Sequence, residues 1–172
     1  MKVFLIGPMG SGKSTIGKLI SKEVSLKFYD TDKMIEASLK KNINEIFEDH
    51  GEEFFRQKEC EILIDTKNID FGIISTGGGI IESIENRNFL SEQKHVFFLN
   101  SSVKRQYERT KKSQKRPLLN KGNPKKTLKE LYNRRIRFYR NVSDEELDMD
   151  KFEERDVVTK IIKKISNEKN KH

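Results

Sequence analysis

At 172 residues the chain has the length of one domain, enough to bury a core and short for two. Apolar residues reach only 34% and charged residues 36%, and the apolar run Val3 to Ile6 is too short for a signal peptide, with no later stretch able to span a bilayer, so a soluble cytoplasmic protein without a membrane partner is expected. Cys60 is alone and His50, His95 and His172 lack zinc-like spacing, which excludes an internal disulfide and leaves a hard ion as the metal to expect.

In chain order, KVFLIG (2–7) reads as a buried strand and GKSTIGKLISKEV (12–24) as a helix with Ile16, Leu19 and Ile20 on one face. LKFYD (26–30) is a second short strand. DKMIEASL (32–39) and NINEIFEDH (42–50) are helical, and a longer helix runs from about Glu52 to Asp65. FGIIST (71–76) is a third strand ending in Gly77, Gly78 and Gly79, HVFFLN (95–100) a fourth, and SSVKRQYERT (101–110) a helix. The polar segment 111–123, marked by Pro117, Gly122 and then Pro124, is expected to be the mobile loop. An arginine-rich helix to about Asn141, a brief strand near Glu146 to Met149 and an amphipathic helix with Val157, Val158, Ile161, Ile162 and Ile165 complete a βαβα pattern. That pattern predicts an α/β fold, a parallel sheet with helices on both faces.

The net charge of +8 is local, because Lys104 to Arg140 holds fifteen Lys/Arg against Glu108 and Glu130, leaving the rest of the chain net acidic. Such a segment is either a solvated face or a grip for an anion, polyphosphate as readily as nucleic acid.

Residues 7–14, GPMGSGKS, match G-x-x-x-x-G-K-[ST] after a strand and at the opening of a helix. Gly7, Gly10 and Gly12 let the backbone curl until its N–H groups point inward, and the helix adds its positive end. Lys13 supplies a charge for the terminal phosphates of a nucleoside triphosphate, and the Ser14 hydroxyl can ligate the accompanying magnesium. The small size favours a small-molecule kinase, and serine rather than glycine after the lysine argues against a nucleoside monophosphate kinase. FYDTD (28–32) then places Asp30 and Asp32 two apart. If the second strand lies beside the first, both carboxylates open onto the phosphate loop; in an extended segment they share a side, one suited to the metal and one to a substrate hydroxyl. The plainer alternative is that Asp30, Thr31 or Asp32 caps the next helix.

Taken together, GPMGSGKST, FYDTD, EEFFRQKE, STGGG, ERTKKSQKRPLL and RRIRFY resemble the shikimate kinase family in order and close to its spacing, along nearly the whole chain. The resemblance implies a three-layer P-loop kinase fold, nucleoside-monophosphate-kinase-like, with a five-stranded parallel sheet. It implies one kinase domain over 1–172, with a substrate-binding region at about 31–60 and a mobile lid at about 111–123. The activity implied is transfer of the ATP γ-phosphoryl group to the 3-hydroxyl of shikimate, with Mg²⁺, by a monomer that binds no nucleic acid.

The same resemblance implies roles for particular residues. Gly10, Ser11, Gly12, Lys13, Ser14 and Thr15 hold the triphosphate; Asp30 joins Ser14 at magnesium; Asp32 holds the ring hydroxyls and is the candidate base. Arg56 and Arg135 bind the substrate carboxylate, Gly78 and Gly79 contact the substrate, Arg109 stacks on adenine, and Arg116 reaches the transferring phosphoryl from the lid. An acid substrate does call for arginine, whose planar fork makes two charge-assisted bonds to a carboxylate. On residues alone, however, Arg56 could equally pair with Glu52, Glu53 or Glu59. Arg135 is selected only by the match of RIRFY, which carries Arg137 where the family usually has proline, and Glu154 stands where relatives commonly have proline beside the adenine. Two other readings remain: a kinase for another hydroxy acid such as gluconate, against which FYDTD, STGGG and RPLL argue, and a nucleotide-dependent RNA-binding module. The basic segment offers the latter few interleaved aromatics beyond Tyr107, Tyr132, Phe138 and Tyr139.

Overall fold

The computed structural model describes residues 1–112, 117–119 and 122–169. Strands β1 (Lys2–Ile6), β2 (Phe28–Asp30), β3 (Gly72–Ser75), β4 (Val96–Asn100) and β5 (Glu145–Asp148) form one sheet in the order β2-β3-β1-β4-β5, every pair parallel. Between them lie α1 (Lys13–Val24), α2 (Thr31–Leu39), α3 (Ile43–Asp65), α4 (Ile84–Ser91), α5 (Val103–Thr110) and α6 (Pro124–Val142), with α7 (Glu154–Lys169) after the last strand. Among the described residues no helix is long and apolar enough to cross a membrane.

Successive side chains of a strand point to opposite faces, and β1 shows how that builds two cores. Val3 and Leu5 pack with Ile16 and Ile20 of α1 and Val157, Val158 and Ile161 of α7. Phe4 and Ile6 turn the other way, to Leu63 of α3, Leu90 of α4 and Tyr139 of α6. Three layers follow, helix on sheet on helix.

Two expectations are corrected. β2 does not lie beside β1: β3 is inserted between them, with Val3 opposite Ile73 on one side and Tyr29 opposite Ile74 on the other. The reason is burial. GIIS of β3 is buried at every position and takes an interior place, whereas FYD is half-buried throughout and suits a short edge strand. The second correction concerns residues 80–94, where no element is expected. A 3₁₀ turn at Ile80–Glu82 leads there into α4, capped by Ser83 Oγ accepting from the Asn86 N–H at 3.3 Å. Its buried residues are Asn86 and Leu90, so an apolar period is missing from its sequence.

The two helices expected at 42–50 and 52–65 form one run broken by Gly51, whose φ of 81° is non-helical. A reciprocal cap starts this run: Asn42 Oδ1 accepts from the Glu45 N–H at 3.0 Å, and Glu45 Oε2 accepts from the Asn42 N–H at 2.7 Å. β1, β2 and β3 all point their carboxyl ends at one crevice, where segments 7–12, 30–32 and 75–79 meet. Ligands bind at this edge of an open parallel sheet.

Candidate active site

The turn from β1 into α1 holds Gly10 at φ 75° and Gly12 at φ 98°, backbone that a side chain strongly disfavours. Gly12 is the N-cap of α1 and offers no side-chain cap, so the first N–H groups of the helix are available to an anion. Lys13 is buried, and its Nζ donates to the Gly7 carbonyl at 2.7 Å and the Pro8 carbonyl at 2.8 Å. Ser11 is buried within the loop, its Oγ 3.4 Å from Lys13 Nζ. Gly10, Gly12, Lys13, Ser14 and Thr15 line an open cleft, with Arg109 and Glu154 at its far side.

Asp30 caps α2 and also faces the phosphate loop. Its Oδ1 accepts from the Lys33 N–H at 3.3 Å, capping α2, while its Oδ2 accepts from the Ser14 hydroxyl at 2.7 Å. Asp32 is not in an extended segment, as expected from its spacing, but in the first turn of α2, because the cap at Asp30 starts the helix at Thr31. That turn nevertheless aims Asp32 inward. It lines the phosphate cleft and also a second cavity shared with Met9, Arg56, Gly77, Gly78, Gly79 and Arg135.

The second cavity is walled by charge. Arg56 sits on α3 with its guanidinium against Glu59 at 2.7 Å, Glu52 at 3.0 Å and Glu82 at 3.7 Å. Of the ion pairs considered from sequence, those with Glu52 and Glu59 form and, among the described residues, no pair with Glu53 does, and they hold the side chain in the cavity wall. On α6, Leu128, Arg135, Tyr139 and Val142 face inward while Arg134, Arg137 and Arg140 are exposed, so helical phase singles out Arg135. Its side chain is 2% exposed and bonds Glu82 through Nε at 3.1 Å. Arg137, where the resemblance leads one to expect proline, stacks on Phe138 with its Cζ 4.7 Å from the ring centroid and does not line the cavity. Tyr139, fully buried, donates its hydroxyl hydrogen to the Gly78 carbonyl and so fixes the glycine run.

Gly79 is required by close approach: a Cβ there would overlap the Arg56 guanidinium. Gly79→Ala is expected to lower kcat/KM for the acidic substrate by on the order of 10²-fold, a displaced anchor losing the productive geometry. Steady-state kinetics with each substrate varied in turn checks this; an equal loss towards nucleotide would contradict it.

Two residues of this wall, Gly77 and Glu59, have no site role assigned from the sequence, and neither does Glu82, which lies outside the cavity lining. Gly77 packs against the carboxylates of both Asp32 and Glu59. Glu59 is buried, and burial pushes its carboxyl up against the pull of Arg56, with the Asp32 carboxylate adding to the rise, to about 7 from the ordinary 4.5. The folded chain then binds more protons than the unfolded chain between those two values, so the stability that Glu59 contributes falls as pH rises across that window. Glu59→Gln removes the dependence. Its Tm relative to the unsubstituted protein is expected to rise between about pH 5 and pH 8, and parallel Tm profiles would contradict the assignment.

Arg109 pairs with Glu154 at 2.8 Å across the mouth of the phosphate cleft, each about one-third exposed. Arg116, Lys115 and most of the expected lid's first half lie outside the described residues. Leu118 and Leu119 pack with Met9 and Leu128, and Pro117 and Leu118 line the acceptor cavity.

A phosphate-binding loop joined through one aspartate to an arginine-walled pocket is the arrangement of a P-loop kinase for a small anionic acceptor, and the fold agrees. A deoxyadenosine kinase of M. mycoides superposes with a TM-score of 0.66 at 19% identity, covering 97% of this chain and all of that one. The chain belongs to the shikimate kinase family, whose model matches residues 9–166. It is 43% identical to the shikimate kinase of Marinomonas sp. (strain MWYL1) over 93% of this chain and 89% of that protein. With that of Legionella pneumophila (strain Corby) it shares 40% identity over 96% of this chain and 95% of the relative. Among solved structures, the shikimate kinase of Acinetobacter baumannii, in complex with shikimate, matches with a TM-score of 0.93 at 34% identity over 98% and 94% of the two chains.

Proposed function

We propose that the chain transfers the γ-phosphoryl group of ATP to the 3-hydroxyl of shikimate, giving shikimate 3-phosphate and ADP. The observation that carries this reading is the position of Asp32, whose side chain borders the phosphate cleft and the acceptor cavity together. Family membership supplies the identity of the acceptor.

In this reading the 7–15 loop holds the triphosphate through its N–H groups, and Lys13 brings its ammonium to the β- and γ-phosphates. Arg56 and Arg135 grip the shikimate carboxylate, and Gly78 and Gly79 allow its ring to approach the backbone. The 3-hydroxyl then faces the γ-phosphorus. Asp32 accepts its proton as the new P–O bond forms and the bond to the ADP oxygen breaks, so the electron pair leaves on ADP. Arg116 closes over the transferring phosphoryl and Arg109 packs on adenine.

The Ser14 hydroxyl and the Asp30 carboxylate, 2.7 Å apart, form an oxygen donor pair that fits Mg²⁺, which is held by one or two protein oxygens with the substrate's phosphates supplying others. When bound, the ion neutralises charge on the β- and γ-oxygens. Among the described residues no cluster of three or more His, Cys, Asp or Glu offers an all-protein cage. A single kinase domain with its acceptor region at about 31–60 and its lid at about 111–123, acting as a cytoplasmic monomer, completes the proposal.

ADP release, followed in a coupled assay with ATP and either shikimate, gluconate or RNA, tests the reading. Release that depends on shikimate alone is expected. Release that gluconate or RNA stimulates, with shikimate inert, would overturn it.

A further inference from the structure

Glu82, on the 3₁₀ turn after the glycine run, lies at the meeting point of three arginines. Its Oε1 accepts from Arg135 Nε at 3.1 Å and from Arg134 Nη2, and its Oε2 stands 3.7 Å from Arg56 Nε. The turn is tied to the acceptor site through the Glu82 N–H, which donates to the Gly79 carbonyl at 2.9 Å. Yet Glu82 does not line the acceptor cavity, whereas Arg56 and Arg135 do. The carboxylate therefore holds Arg135 by its Nε edge, while Arg56 Nε donates to Glu52 at 3.3 Å. What remains on the cavity side is donor capacity: Arg135 Nη2 is buried with no hydrogen-bond partner among the described residues, a state that costs energy unless a ligand fills it.

We propose that Glu82 is a positioning residue of the acceptor site, holding Arg135 by its Nε edge so that its buried Nη2 is left to the substrate carboxylate. This rests on the acceptor reading above. A guanidinium offers five donors in a rigid fork, so fixing one edge orients the rest. Arg56, on α3, is held instead by Glu52 and Glu59, and Glu82 adds its charge at 3.7 Å; Arg135, on α6, has Glu82 as its bonded carboxylate. Burial pushes the Glu82 carboxyl up, but Arg135, Arg134 and Arg56 outweigh it and hold it below its ordinary range, so the clamp is charged at neutral pH. Arg134, 60% exposed, adds charge to the clamp from outside without reaching the cavity.

The alternative role for this carboxylate is neutralisation of the anchors, and it predicts the opposite sign, because removing a negative charge would then tighten binding of an acid. Glu82→Ala and the isosteric Glu82→Gln separate the two. The positioning role predicts a KM for shikimate raised about tenfold in Glu82→Ala, and less in Glu82→Gln, which keeps an acceptor for Arg135 Nε. In both, kcat and the KM for ATP stay within about twofold of the unsubstituted protein. In an Arg135→Ala background the Glu82→Ala effect shrinks, since the positioned group is gone. Tm is recorded for each, and Glu82→Gln remains readable if the alanine variant folds poorly. An unmoved or lowered KM for shikimate in both variants, or equal rises in both KM values, overturns the positioning role. The unsubstituted protein is assayed alongside: failure to turn over shikimate defeats the acceptor reading and this proposal with it, whereas an active protein with indifferent Glu82 variants defeats the clamp alone.

Discussion

Asp32→Asn is expected to cut kcat by about 10³-fold, within the range that loss of a general base produces, while nucleotide affinity changes little. Asparagine keeps the shape and can still accept a hydrogen bond from the substrate hydroxyl, but it cannot take the proton as the P–O bond forms. The location explains why the effect is specific. Asp32 is in the first turn of α2, where the amino end of the helix favours a carboxylate, and it borders the acceptor cavity opposite Arg56 and Arg135. Measuring kcat at saturating ATP and shikimate, with ATP affinity determined separately by calorimetry, divides chemistry from binding. A loss below about tenfold would reduce Asp32 to an orienting group.

Lys13→Met should lower kcat/KM for ATP by about 10²- to 10³-fold, the cost of removing one preorganised donor to developing charge. Here the geometry makes a second demand on the same side chain. Lys13 Nζ spans the loop, donating to the carbonyls of Gly7 and Pro8, and an ammonium has three donors on a flexible stem. Those contacts keep the charge within the loop. Methionine preserves the length and apolar stem but leaves two buried carbonyls without this donor, so a lowered Tm is expected beside the kinetic loss. Turnover within about tenfold of normal would show that the loop N–H groups alone suffice.

The parts of the site legible in the sequence are those with local signatures. The phosphate loop announces itself because a strand, three glycines, a lysine and a helix start are contiguous, and Gly51 breaks α3 where a glycine between two periodic segments predicts it. Strand order was not legible: whether β2 or β3 flanks β1 depends on how completely each strand is buried, a property of the assembled sheet. Asp32 was assigned to the right neighbourhood by the wrong route, since spacing in a strand and the first turn of a capped helix both turn it to the crevice. Arg135 could have been separated from its neighbours by phase, as it stands seven residues after Leu128 and four before Tyr139. Glu59 had a similar signal, lying four residues from Phe55 and four from Leu63 along the buried row of α3. Glu82 had none, because its partners come from α3 and α6, far away in the chain.

The central claim is that Arg56 and Arg135 hold an organic acid so that its alcohol, rather than its carboxylate or water, meets the γ-phosphorus beside Asp32. Proton-coupled phosphorus NMR of the product formed from ATP and shikimate tests it most directly. One new phosphate ester is predicted, its phosphorus coupled to a proton that proton–proton correlation assigns to the carbon bearing the 3-hydroxyl. Inorganic phosphate alone, an acyl phosphate, or an ester at another hydroxyl would contradict it.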